Sequence, residues 1–134
     1  MPALAVLGAA LALTSPAFHT GGTIPARYTC SGANVSPPLR WTAGPRATRS
    51  FSVTMVDVTV GFLHWQALSI PASVHSLPRN AHLRREGVNS FGKVGYGGPC
   101  PPPGRPHRYV FTVRAHAPGG RVLAEATLVG LYGR

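Results

Sequence analysis

The run SFSVTMVDV, residues 50–58, places Phe51, Val53, Met55 and Asp57 on one face at a period of two, with Ser52, Thr54 and Val56 on the other. That alternation is the mark of a half-buried strand, and it sends a carboxylate to the side that otherwise builds the core. An ionised acid buried without partners is strongly destabilising. Asp57 therefore either meets donors inside the fold, or ends its strand and caps a turn at Val58-Thr59-Val60-Gly61. Among the histidines, His64 and His107 sit in strand-like segments, whereas His19, His75, His82 and His116 lie near turn residues. An Asp–His–His cluster and a simple turn cap are the two readings this stretch leaves open.

Outward from it, Leu63 to Ser69 reads as a second strand ended by Ile70-Pro71, and HRYVFTVRA (107–115) as a third. In the third, His107, Tyr109, Phe111 and Val113 share a face, so His107 and Tyr109 reach into one cavity while Arg108 points away. Ala124 to Tyr132 is a fourth strand, with a short helix over Val122 to Leu131 as its rival because Ala, Leu and Glu are frequent there. SPPLRW (36–41) and GYGGPCPPPGRP (95–106) are expected to be loops. The second offers backbone N–H groups beside rigid proline walls, a means of holding a small anion without a helix terminus. It lacks the Gly-Lys-Ser/Thr of a nucleotide loop, and no dinucleotide fingerprint occurs. With no repeat, heptad or long amphipathic helix, the chain reads as one mainly β domain over 1–134 with one or two short helical turns.

Composition narrows the chemistry. Gly 16 and Pro 14 among 134 residues predict many turns, and 44% apolar residues predict a single small globular unit. Thirteen Lys+Arg against three Asp+Glu give a net charge of +10, and Lys93 is the only cation that is not arginine. Carboxylate metal cages and two-carboxylate glycosidase chemistry are thereby excluded, and Asp57, Glu86 and Glu125 each call for an explanation. A pI near 11.4 favours anionic partners. The arginines are scattered, Arg84-Arg85 being the only adjacent pair, and aromatics do not interleave with them. A solvated basic surface with weak contact to anionic membranes is expected, and no specific nucleic-acid site. The apolar start, 1–12, is either a leader or a disordered start: it is too short to cross a bilayer, which takes about 20 residues, and it lacks a basic n-region, although Ala10-Leu11-Ala12 resembles a cleavage site. A cytoplasmic location is expected, with a secreted or periplasmic one as the alternative.

Five runs in order, RYTCSGANVSPPLRW (27–41), FSVTMVDV (51–58), GFLHW (61–65), NSFGKVGYGGPCPPPG (89–104) and HRYVFTV (107–113), make the chain resemble the phosphatidylethanolamine-binding protein family. It is most similar to the bacterial and archaeal branch called Raf kinase inhibitor-like proteins. The resemblance implies a β-sandwich built on a large antiparallel sheet, with a small pocket for phosphate-type anions or phospholipid head groups. Carried over by position, the pocket residues are Asp57, His64, His107 and Tyr109, with Gly98, Pro99, Cys100 and Pro101 as a loop wall. It also implies a non-enzymatic binding protein without cofactor or metal; the alternative is an interaction protein that docks a kinase or protease on the pocket rim.

Two departures from the family pattern stand out. The usual Asp-Pro-Asp-Ala-Pro is here Asp57-Val58-Thr59-Val60-Gly61, with Thr59 in place of the second acid and a shorter loop. The helix that members carry before the last strand is reduced to His116-Ala117-Pro118-Gly119-Gly120-Arg121, so uncovered apolar surface is expected, with either a homodimer or reduced stability as its consequence. The family reading brings Cys30 and Cys100 to one end of the domain, either as a disulfide or as two thiols in a reducing compartment. No pair of ligands has the short spacing of a structural zinc site, and Cys100 is the one candidate nucleophile for an enzymatic reading.

Overall fold

The structure, a computed structural model, describes residues 11–134. The strands in chain order are β1 (Leu13–Thr14), β2 (Gly22–Thr23), β3 (Leu39–Trp41), β4 (Ser50–Asp57), β5 (Phe62–Pro71), β6 (Ser76–Leu77), β7 (His107–His116) and β8 (Val122–Tyr132). One 3-10 turn, Ala26–Tyr28, falls between β2 and β3. A five-stranded sheet has the order β2-β8-β7-β4-β5, and a three-stranded sheet the order β1-β3-β6. All pairs are antiparallel except β2 with β8, which is parallel.

Period-two burial drives this arrangement. Phe51, Val53 and Met55 of β4 and Phe111 and Val113 of β7 are fully buried, and they meet Leu13, Leu39, Trp41 and Leu77 of the smaller sheet in one core. Trp41 packs edge-on against Phe51 with centroids 5.6 Å apart, which joins the two layers. The stretch 36–41, expected to be a loop, ends in β3: Leu39 and Trp41 alternate inward and stitch β1 to β6. Pro37 and Pro38 hid that short strand from a reading by composition.

The helix rival over Val122 to Leu131 is overturned. β8 pairs with β7 along its whole length, from His107 opposite Tyr132 to His116 opposite Val122. Ala124 and Ala126 pack toward the core while Glu125 meets Arg114 on the outer face, so a partner strand outweighs a weak helical propensity. Gly130 allows the close approach of β2: a Cβ there would meet Ile24 and, at 2.9 Å, the Phe18 ring. β7 runs into β8 through a turn at 117–121, so no helix intervenes. The outer face of the sheet is then open. Toward the Asp57 end it carries the half-buried cross-strand row Leu63, Val56, Val110 and Val129, the apolar surface expected from the missing helix.

Most of the apolar start lies outside the described residues; Leu11 packs on the core and the Ala12 N–H donates to Thr42 Oγ1 at 3.0 Å. Among the described residues no helix is long and apolar enough to cross a membrane.

Candidate functional site

β4 lies between β5 and β7, and its last residue, Asp57, is opposite Phe62 on one side and Tyr109 on the other. The inward side chains at this end of the three strands therefore converge. Asp57 is 3% exposed, His64 3% and Tyr109 0%. Burial this deep requires that the carboxylate be satisfied, and it is. Oδ2 lies 2.6 Å from Nδ1 of His107 and Oδ1 accepts the Thr59 N–H at 2.9 Å. One oxygen thus meets a histidine and the other caps the turn, while the second histidine of the expected cluster, His64, lines the same cavity and directs Nδ1 to Gly97 instead of Asp57.

The short loop after Asp57 is tightly closed rather than frayed. The Gly61 N–H donates to the Asp57 carbonyl at 2.8 Å with Gly61 at φ 73°, a left-handed geometry that favours glycine. Thr59, in the place of the second acid, accepts the Arg108 N–H on Oγ1 at 2.9 Å. The substitution thus anchors the loop to the start of β7 and adds no second charge.

His64 reaches the pocket through a bulge. Val56 faces Leu63 and Met55 faces Trp65, which leaves His64 as an extra residue in β5. Strict alternation would send His64 and Trp65 to opposite faces; the bulge lets both turn inward. His64 Nδ1–H donates to the Gly97 carbonyl at 2.6 Å. Desolvation by burial lowers its pKa below 6.5, against the opposing bond to Gly97, so the ring is neutral near pH 7 and Nε2 carries a lone pair. Phe62, Tyr109 and Phe91 enclose the ring at centroid distances of 4.9, 5.3 and 5.4 Å.

Tyr109 stacks on His107 with 27° between ring planes. Its hydroxyl is buried and forms no well-placed hydrogen bond among the described residues, although the Asp57 carboxylate is close enough to interact with it. Burial first, then the Asp57 charge, pushes the phenol well above its ordinary pKa, which keeps it a protonated donor.

These side chains line a cavity of about 280 Å³. Of the residues expected from sequence, Asp57, His64, His107, Tyr109, Cys100 and Pro101 line it, and Gly98 and Pro99 do not. The Gly98 N–H is taken by Asn34 Oδ1 at 2.8 Å, and a Cβ there would collide with the Tyr28 carbonyl and the Asn34 side chain. Other amides of the glycine-rich loop are likewise used internally: Gly97 N–H donates to the His64 carbonyl and Gly95 N–H to Gly87. The loop closes the cavity with its Cys100, Pro101 and Pro102 side chains, and the Gly95, Gly97 and Gly98 N–H groups hold the loop itself in place. Val60, Phe62, Phe91 and Pro102 complete the lining. Sequence reasoning passed over them; the two phenylalanines lie within GFLHW and NSFGK, where flanking matched residues were the available signal.

Cys30 and Cys100 form a disulfide, Cα atoms 5.3 Å apart, across a separation of 70 residues. The Cys30 N–H also bonds the Pro99 carbonyl at 3.0 Å, so the cavity wall is tied to the segment after the 3-10 turn. The two-thiol reading is overturned, and neither sulfur is free to ligate zinc or act as a nucleophile.

A two-sheet β protein with a histidine- and carboxylate-lined cavity at one end of its larger sheet has the architecture of a binding protein. The chain belongs to the phosphatidylethanolamine-binding protein family, whose model matches residues 14–132. It is 37% identical over 155 residues to a UPF0098 protein of Aquifex aeolicus, covering 95% of this chain and 91% of that one. A crystal structure of a phosphatidylethanolamine-binding protein homologue from Chlamydia trachomatis superposes with a TM-score of 0.84 at 31% identity, over 94% of this chain and 99% of that one. YbcL of Escherichia coli, described as a new member of the mammalian family, gives a TM-score of 0.81 at 28% identity, over 92% and 98% of the two chains.

Proposed function

We propose that this chain is a non-enzymatic binding protein whose cavity takes a phosphate-type anion, free or as a phospholipid head group. The observation that carries the reading is the Tyr109 hydroxyl, a buried donor with no well-placed hydrogen bond, beside Asp57 and two imidazoles. Such a group is destabilising until something accepts from it. Asp57 fixes His107 through Nδ1, which leaves Nε2 for the ligand. In the protonated ring Nε2–H donates to an anionic oxygen, and the ligand's charge adds to the strength of that bond. His64 is held neutral and forms an aromatic side wall. Family membership supports a binding role, and the engagement of Cys100 in a disulfide argues against thiol catalysis.

The rim supports a second reading, docking of a kinase or protease. Val58, Val60 and Phe91 are 50%, 62% and 45% exposed, and the last two line the mouth. The same apolar rim suits weak contact with an anionic membrane. The disulfide favours the exported location over the cytoplasmic one, since such bonds persist in oxidising compartments.

The test is a titration of phosphate and phosphoethanolamine into wild type and His107→Ala, followed by histidine ring-proton NMR. Saturable shifts at His64 and His107 that disappear in the variant are expected. No shift at millimolar ligand sinks the anion reading, and a pull-down that survives both Asp57→Ala and His107→Ala removes the rim reading.

A further inference from the structure

A second basic site lies on the opposite face of the larger sheet, toward the far end of β4. Two grooves meet there, of about 460 Å³ and about 480 Å³, and they share Leu68, Ser69 and Arg85. The first is lined by Arg49, Arg114 and His116, the second by His82 and Arg84. Of the arginine pair at 84–85, which the pocket at Asp57 does not use, Arg85 therefore sits where the linings of the two adjoining grooves overlap and Arg84 in the second. No carboxylate lines either groove among the described residues. Of the chain's three acids, Asp57 holds His107, Glu86 accepts from the Trp65 indole at 2.8 Å, and Glu125 pairs with Arg114 Nε at 3.1 Å.

The depression is built into the backbone. Phe51 faces Ile70 and Val53 faces Ala67, so Leu68 and Ser69 both stand opposite Ser52. This bulge puts Ser69 at φ 54°, a left-handed conformation uncommon for serine, and re-aims both residues where the two grooves join. The floor is fixed by polar bonds: Ser52 Oγ to His116 Nε2 at 2.8 Å, and His116 Nδ1 to the Gly120 carbonyl at 3.0 Å. A second Arg114 nitrogen lies 3.3 Å from Thr54 Oγ1.

We infer that the joined grooves bind a linear oligophosphate, a chain of closely spaced phosphate charges laid between Arg49 and the Arg84-Arg85 pair. Arginine forks match phosphate oxygens two at a time, and the Ser50 and Ser69 hydroxyls add neutral donors. An elongated site with cations at both ends suits a chain better than a single anion. No Phe, Tyr or Trp lines either groove, so bases have nothing to stack on, and a phosphate chain without bases fits better than a nucleic acid.

The experiment uses the full chain and inorganic tripolyphosphate, titrated calorimetrically at low and moderate salt. Wild type is expected to bind, with affinity falling as salt rises. An Arg84→Ala/Arg85→Ala variant is expected to lose about tenfold or more, while Arg27→Ala/Arg79→Ala, which removes the same charge from exposed positions outside both grooves, stays within about twofold. His107→Ala leaves tripolyphosphate binding at the grooves intact, which separates this site from the cavity at Asp57. Equal losses in the two double variants would reduce the effect to net charge and overturn the inference. So would absence of binding by wild type, or binding of polyglutamate or a single-stranded oligonucleotide as tightly as tripolyphosphate.

Discussion

At the residue scale the cavity depends on how two side chains are satisfied. Asp57→Asn keeps an oxygen for Thr59 but presents an amide donor to His107 Nδ1, so the charge-assisted bond is lost. Urea unfolding is expected to show a loss of about 2 kcal/mol, within the range for hydrogen bonds to charged groups. Tyr109→Phe should behave in the opposite way: removing a buried hydroxyl that forms no well-placed bond leaves stability unchanged or raises it by up to about 1 kcal/mol, while phosphate affinity falls. A variant that loses stability and keeps its phosphate affinity contradicts the role given to that hydroxyl. The pKa shifts give two pH limits. His64 is depressed in the fold, so below pH 6.5 the unfolded chain takes up a proton that the native one refuses, and stability declines down to the folded pKa. Tyr109 is raised, so above pH 10 the unfolded chain releases a proton that the native one keeps, and stability declines again. Chemical denaturation across pH should therefore show both shoulders, with the alkaline one reduced in Tyr109→Phe.

At the scale of elements, the strands were legible where alternation is long. β4 was clear from residues 50–58, and its face parity already placed Asp57 and, through β7, His107 and Tyr109 on one side. The 3-residue β3 and the 2-residue β1, β2 and β6 were not, because so few residues carry no period and gain their partners only in the assembled sheet. β8, at 11 residues, was ambiguous for a different reason: its Ala and Glu residues suit a helix until β7 supplies its hydrogen bonds. Two interventions test these contacts. Gly130→Ala drives a methyl into Ile24 and Phe18 where β2 crosses, and an overpacking loss of about 1–3 kcal/mol is expected in thermal unfolding. Reducing the Cys30–Cys100 disulfide reopens a 70-residue loop in the unfolded chain and is expected to lower stability by about 2–4 kcal/mol, read as a lower urea midpoint.

For the molecule as a whole, +10 charges are distributed over a surface with three acids, each already engaged. The direct β7–β8 turn leaves the outer sheet face with two characters: an apolar row at the Asp57 end and a basic depression at the other. The row is the surface on which the expected homodimer would form. Sedimentation at rising concentration should then show association that Val110→Lys/Val129→Lys removes; a wild-type chain that stays monomeric throughout leaves the row without that role.

The sequence alone determined the strand periods, the core-side parity of Asp57 and the shared face of His107 and Tyr109, because alternation is a local property of a chain. Tertiary structure decided what depends on pairing across distance. A bulge in β5 turned His64 inward beside Trp65, and a second one at Leu68-Ser69 shaped the outer grooves. Internal hydrogen bonds used up glycine-loop amides that composition had offered to an anion. Register shifts and hydrogen-bond partners are set by the neighbouring strand, which a single stretch of sequence does not contain.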